Sequence, residues 1–180
     1  MSQNINQSIE TSRLFFALWP GAELQQKFAE IAQVLHPQCG GRLIPASNIH
    51  LTLIFVGAVE KSRIPRLVEA ANNVRVTPFQ LRIERLGSFH AGKIAWLAPT
   101  ETPPVLSRLV ETLHAALRQA GFSFDEKPFV PHISLLRKAR SISPGALDPP
   151  IEWAVSGFAL IESHSAADGA HYEVIERFVE

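Results

Sequence analysis

The chain has a single cysteine, Cys39, so it can form neither an internal disulfide nor a thiolate zinc cluster, and it suits a reducing compartment. A charge excess of either sign is missing too. Seventeen basic side chains meet seventeen acidic ones, which excludes a surface built to follow long duplex by phosphate neutralisation. Any nucleic-acid contact is therefore expected to be local. No apolar run precedes Arg13; the polar segment Met1 to Ser12 reads as a loose tail, neither a signal peptide nor a spanning helix. The expectation is a cytoplasmic protein without membrane association. The acidic residues form no pair resembling a catalytic carboxylate dyad, and the His36/Cys39 pair is followed by no second pair at metal-ligand spacing.

With 180 residues and a hydrophobic fraction of 46%, the chain can build one substantial core, or two small lobes sharing one, over residues 13–180. The apolar run from Arg13 to Trp19, closed by Pro20-Gly21, predicts a buried strand. Leu24, Phe28, Ile31 and Leu35 then make one stripe of an amphipathic helix from Ala22 to Leu35. A second helix is expected after Ser62, burying Ile64, Leu67, Val68 and Ala71. Strands are expected at 79–86 and 94–97. A third helix, announced by Thr102-Pro103-Pro104, carries Val105, Leu109, Leu113 and Leu117 and stops at Gly121. Ser141 to Pro150 reads as a loop, and two strands follow near 153–161 and 171–178.

Two short segments share a pattern: Ile49-His50-Leu51-Thr52-Leu53 and Pro131-His132-Ile133-Ser134-Leu135. In a strand, the period of two puts His50 with Thr52, and His132 with Ser134, on one face. Leu51, Leu53, Ile133 and Leu135 then turn into the core. The order strand, helix, histidine strand occurs twice, over 13–55 and 94–136, which predicts two similar halves presenting the histidines across a cleft. Strands with helices on the outer faces make the fold class α+β.

Imidazole titrates near neutrality, so two of them facing one cleft can supply a base and an acid to one reaction. A phosphodiester displacement needs entering and leaving oxygens on opposite sides of phosphorus, which two opposed histidines can serve. The hydroxyls of Thr52 and Ser134 can donate to the non-bridging oxygens, and Arg137 can swing a guanidinium toward the phosphate. The residues alone leave open which histidine is acid and which is base. Phe15 or Phe16 is a candidate for stacking on a base, although core packing competes for both. His90, His114, His164 and His171 read as surface or structural.

These segments, with Arg-Leu-Phe-Phe-Ala-Leu near the start, Gly121-Phe122 and Pro128-Phe129-Val130 before the second histidine, resemble in order the bacterial RNA 2',3'-cyclic phosphodiesterases, or 2'-5' RNA ligases. These belong to the two-histidine phosphoesterase superfamily. The resemblance runs from about Arg13 to Phe178. It implies a bilobal α+β fold with antiparallel sheets lining a central cleft. It also implies opening of a terminal 2',3'-cyclic phosphate to a 2'-phosphate by water, with no metal or other cofactor. Through it His50 becomes the proton donor to the leaving 3' oxygen and His132 the base toward water. Thr52, Ser134 and Arg137 become the phosphate-binding groups. Serine replaces the family's usual threonine at Ser134, losing the methyl that stiffens χ1, so looser phosphate binding with the same chemistry is expected.

The expected partner is RNA with a cyclic phosphate end, met by a monomer. Alternatives are a small nucleotide substrate such as an ADP-ribose cyclic phosphate or a 2'-5' oligonucleotide, a non-catalytic binder of RNA ends, and a metal hydrolase using both histidines. Against the metal hydrolase, no acidic residue accompanies either histidine at ligand spacing.

Overall fold

The computed structural model describes residues 10–89, 93–166 and 169–179. β1 (Thr11–Leu18) leads into α1 (Ala22–Cys39), β2 (Arg42–Leu43) and β3 (Leu51–Glu60), and then α2 (Ile64–Asn72). β4 (Phe79–Phe89), β5 (Ile94–Ala98) and α3 (Pro104–Gln119) come next. The chain closes with β6 (Ile133–Arg137), β7 (Gly145–Val155), β8 (Gly157–Ala166) and β9 (Gly169–Val179).

The strands form one antiparallel ladder in the order β7-β4-β5-β6-β3-β1-β8-β9, with β2 beside β6. The two sheets expected from the repeat are the halves of this ladder. They meet where β3 pairs with β6 through a single register pair, Leu51 with Ile133. Each half is thus four strands wide, and the seam between them runs through both histidine segments. The helices all lie on one side. α1 leaves β1 but packs against β6, while α3 leaves β5 but packs against β3, so each helix crosses to the other half. The alternation of burial reflects this layering. Leu14, Phe16 and Leu18 join the helix-side core, while Phe15 and Ala17 join a small cluster on the opposite face with Ala159 and Ile161.

Leu51, Leu53, Ile133 and Leu135 are all buried, as the period of two requires. That burial holds the register: a slip of one residue in either strand would expose that strand's two apolar residues and drive its histidine toward the core. The pairing of β1 with β3 contains an irregularity. Ala17 pairs with Thr52 but Phe16 pairs with Ile54, so Leu53 is an extra residue in β3. The bulge resets the alternation, and Phe55 comes to share the face of Thr52.

Several element expectations change. β1 begins at Thr11, and Ser12 is buried, so the strand reaches into the segment read as tail. α1 runs past Leu35 through Pro37 to Cys39, where Gly40 donates to the His36 carbonyl. Its buried side is Gln25, Phe28, Ala29, Ala32, Leu35 and Cys39; the alanines rotate the stripe away from Leu24 and Ile31. In α3 the buried first-turn residue is Leu106 rather than Val105. The segment read as a loop from Ser141 to Pro150 contains the start of β7. Prolines are tolerated there because β7 is an edge strand whose pairing with β4 lapses between Ile151 and Ala146.

Candidate active site

Counting outward from the Leu51–Ile133 pair, antiparallel pairing sets His50 across from Ser134 and Thr52 across from His132. The four polar side chains form a square on the face that the helices leave open, and all four line one pocket with Arg137. All five residues singled out from the sequence are thus brought together. The approximate two-fold axis passes through the seam.

The symmetry extends to the protons. His50 Nδ1 lies 2.7 Å from the Asn48 carbonyl, and His132 Nδ1 lies 2.8 Å from the Val130 carbonyl, two residues back in each case. A carbonyl only accepts, so Nδ1 carries the hydrogen in both rings and Nε2 is left as the working atom. The Thr52 hydroxyl donates to His50 Nε2 at 3.0 Å. No corresponding bond joins Ser134 to His132 among the described residues, so the symmetry breaks where serine replaces threonine.

His50 is enclosed by aromatic rings. Trp19 stacks on it at 5.4 Å between centroids, Phe15 lies at 4.9 Å, and Tyr172 meets it edge-on at 5.4 Å. This burial is the main reason its pKa falls from an ordinary 6.5 to about 4. The Asn48 carbonyl favours the protonated ring and opposes the fall, while the positive charges of Arg137 and His132 add to it. Burial also lowers His132, against its Val130 bond. Phe89 packs edge-on against that ring at 5.0 Å. Both imidazoles therefore rest neutral in a site that carries arginine, an arrangement that becomes favourable to protonation when an anion enters.

Burial separates the two candidates for base stacking. Phe16 is fully enclosed against Phe158 and Phe178. Phe15 packs against His50 and Tyr172 with little exposed surface, and it lines a concavity that adjoins the catalytic pocket. Tyr172, the only tyrosine, lines the pocket instead. His171 is exposed, as the surface reading has it, and also lines the pocket, whereas His114 stacks on Phe124. His164 faces Glu162 and Glu173 at 3.9 and 3.5 Å. His36 bonds the Gly41 carbonyl and Cys39 the Leu35 carbonyl, so the two are occupied separately. His90 lies outside the described residues.

Three contributors were not read from the sequence. Gln25, on the buried side of α1, donates through Nε2 to the carbonyls of Ser47 at 3.2 Å and Ile49 at 3.1 Å, on either side of the Asn48 carbonyl that holds His50. The visible signal was a polar residue on the stripe of Phe28, Ala32 and Leu35. Asn48 itself is tied by Nδ2 to the Ala170 carbonyl at 2.6 Å, which fixes the start of β9 against the site. Arg42 lines the pocket from β2. That strand reaches β6 because residue 41 is glycine: a Cβ there would stand 2.6 Å from the Arg137 carbonyl, at a φ of +87° that other residues rarely adopt. No three His, Cys, Asp or Glu side chains among the described residues converge as a metal-ligating group.

A two-lobed antiparallel α+β protein with a matched histidine and hydroxyl on each side of its seam is a two-histidine phosphoesterase in architecture. Residues 20–167 match the family model of the 2'-5' RNA ligase superfamily, and the chain belongs to that superfamily. It is 31% identical to the RNA 2',3'-cyclic phosphodiesterase of Escherichia coli K12, covering 94% of this chain and 97% of that protein. It is likewise 31% identical to the enzyme of the same name from Thermus thermophilus, covering 92% of this chain and 89% of that protein. The crystal structure of E. coli LigT complexed with 3'-AMP superposes with a TM-score of 0.86 at 29% identity, over 94% of this chain and 98% of that one.

Proposed function

We propose that this protein hydrolyses the terminal 2',3'-cyclic phosphate of RNA, using His50 and His132 as an acid–base pair. The observation that carries the mechanism is the Leu51–Ile133 register, which faces both imidazoles and both hydroxyls into one pocket with their Nδ1 atoms already committed. Water attacks phosphorus as His132 Nε2 takes its proton. The bond from phosphorus to the 3' oxygen breaks, and His50 Nε2–H delivers a proton to that oxygen. A 2'-phosphate and a 3'-hydroxyl result, and proton exchange with solvent resets the pair. The donor and acceptor roles come from the family resemblance; the local geometry of the two histidines is nearly the same.

Thr52, Ser134 and Arg137 receive the non-bridging oxygens, where charge accumulates. The Thr52 hydroxyl has a second use. It occupies His50 Nε2 before substrate binds and is released to the phosphate once that nitrogen is protonated. One chain supplies all five groups, so a monomer suffices. With an RNA 5'-hydroxyl in place of water as the attacking group, the same steps form a 2'-5' linkage, and their reverse cleaves it. Among the described residues no helix is long and apolar enough to cross a membrane, and the buried free thiol of Cys39 fits our placement of the protein in the reducing cytoplasm.

The test is to incubate the purified protein with an RNA bearing a terminal cyclic phosphate and identify the product isomer. A 2'-phosphate is expected. A 3'-phosphate would reverse the leaving group and overturn the role assignment. Turnover of a cyclic mononucleotide but not of any RNA would favour the small-nucleotide alternative.

A further inference from the structure

The catalytic pocket does not end at the histidines. A second concavity shares Arg42, His50, Thr52, Arg137, Ala170 and Tyr172 with it and continues along the open face to Arg13, Phe55, Ser163 and Ser165. The β3 bulge at Leu53 is what brings Phe55 onto this face, next to Phe15. The Arg13 guanidinium lies over the Phe55 ring, 4.8 Å from its centroid. Ser163 pairs with Tyr172 across β8 and β9, placing its hydroxyl in the same row.

Resting on the RNA reading above, we propose that this extension is a second subsite, which holds the nucleotide on the 5' side of the one carrying the cyclic phosphate. Three features point to an RNA chain as its occupant. Arg13, Arg42 and Arg137 line the extension and, among the described residues, no carboxylate does, so its described lining carries charge of one sign although the whole chain is neutral. Glu162 lines an adjoining concavity that shares Arg13 and Phe55, and its carboxylate lies 3.9 Å from His164 Nε2. Next, an exposed guanidinium lying over an aromatic ring offers a splayed base a cationic surface to stack on. Arg13 makes no ion pair among the described residues. Third, Arg13 lies four residue steps along β1 from Ala17, which stands opposite Thr52, a span of about 13 Å. The terminal cyclic phosphate cannot touch both ends; a strand can.

The subsite predicts discrimination by length. Arg13→Ala, at an exposed position, should lower kcat/KM about tenfold on an oligoadenylate ending in a 2',3'-cyclic phosphate, while changing turnover of 2',3'-cyclic AMP less than twofold. The oligonucleotide's salt dependence should also flatten by about 0.7 in the log–log slope, the value for one phosphate contact on a single strand. Arg13→Glu should deepen the loss on the oligonucleotide alone. Equal losses on both substrates, or none on the oligonucleotide, would overturn the subsite. Wild-type protein turning over neither substrate would instead sink the functional reading on which it rests.

Discussion

Arg42 and Arg137 stand directly opposite one another across β2 and β6, and both line the catalytic pocket. An anion entering between them meets charged donors from both strands. Inorganic phosphate or 3'-AMP is therefore expected to raise the melting temperature. Arg137→Ala should weaken 3'-AMP binding about 10- to 100-fold, the range for a lost charged hydrogen bond. Arg42→Ala should weaken binding too, because Arg42 also lines the pocket. Titration calorimetry with thermal denaturation checks both. Unchanged affinity in the Arg137 variant would remove it from the site.

The two imidazoles act on one phosphorus atom, so their removal should not be additive. His50→Ala and His132→Ala are each expected to lose roughly 10²–10⁴ in rate, with the double variant little slower than either single one. Full activity in both single variants would end the acid–base mechanism. Excess EDTA should leave wild-type activity unchanged, because the proposed steps pass only through these side chains. Loss on chelation, restored by a divalent cation, would favour the metal hydrolase.

Catalysis requires one imidazole protonated and the other neutral. Burial holds His50 at about 4 and lowers His132 as well, so both limbs of the kcat/KM profile should lie below pH 6.5, since that profile reports the free enzyme. A bound phosphate anion favours the imidazolium forms, so the profile of kcat should move to higher pH. A kcat/KM profile flat from pH 4 to 8 would contradict the pair.

The same shift makes stability depend on pH. Between pH 6.5 and about 4 the unfolded chain holds a proton on residue 50 that the folded protein excludes. Stability is therefore fully present above this window and lost as pH falls through it. His50→Gln should flatten the fall of melting temperature across that range. An unchanged slope would mean that the ring titrates normally when folded.

Much of this was legible in the sequence because it depends on alternation. His50, Thr52, His132 and Ser134 sit between leucines and isoleucines that must face a core, and strand geometry then has one answer. The three helices were visible through their stripes. What could not be read depends on pairing between distant strands. Arg42 enters the site only because β2 docks on β6, and Phe55 only because the Leu53 bulge interrupts a period that would have buried it. β7 was hidden by prolines that an edge strand tolerates.

Gln25 shows how a buried amide can govern a catalytic ring it never touches. Its Nε2 bridges the Ser47 and Ile49 carbonyls, which leaves the intervening Asn48 carbonyl pointed at His50 Nδ1. Gln25→Leu keeps the apolar packing of α1 but strips two carbonyls of this donor, of which that of Ile49 is buried, at a cost of about 1–3 kcal/mol for a buried group left unsatisfied. If the bridge only stabilised the fold, the variant would melt earlier and remain fully active below its transition. If it also aims His50, kcat should fall about tenfold with KM little changed, and the acidic limb of the kcat/KM profile should move as the Asn48 bond loosens. Gln25→Glu, which offers acceptors where donors are needed, should be worse than leucine in both respects. An unshifted pH profile with normal kcat would reduce Gln25 to a structural residue.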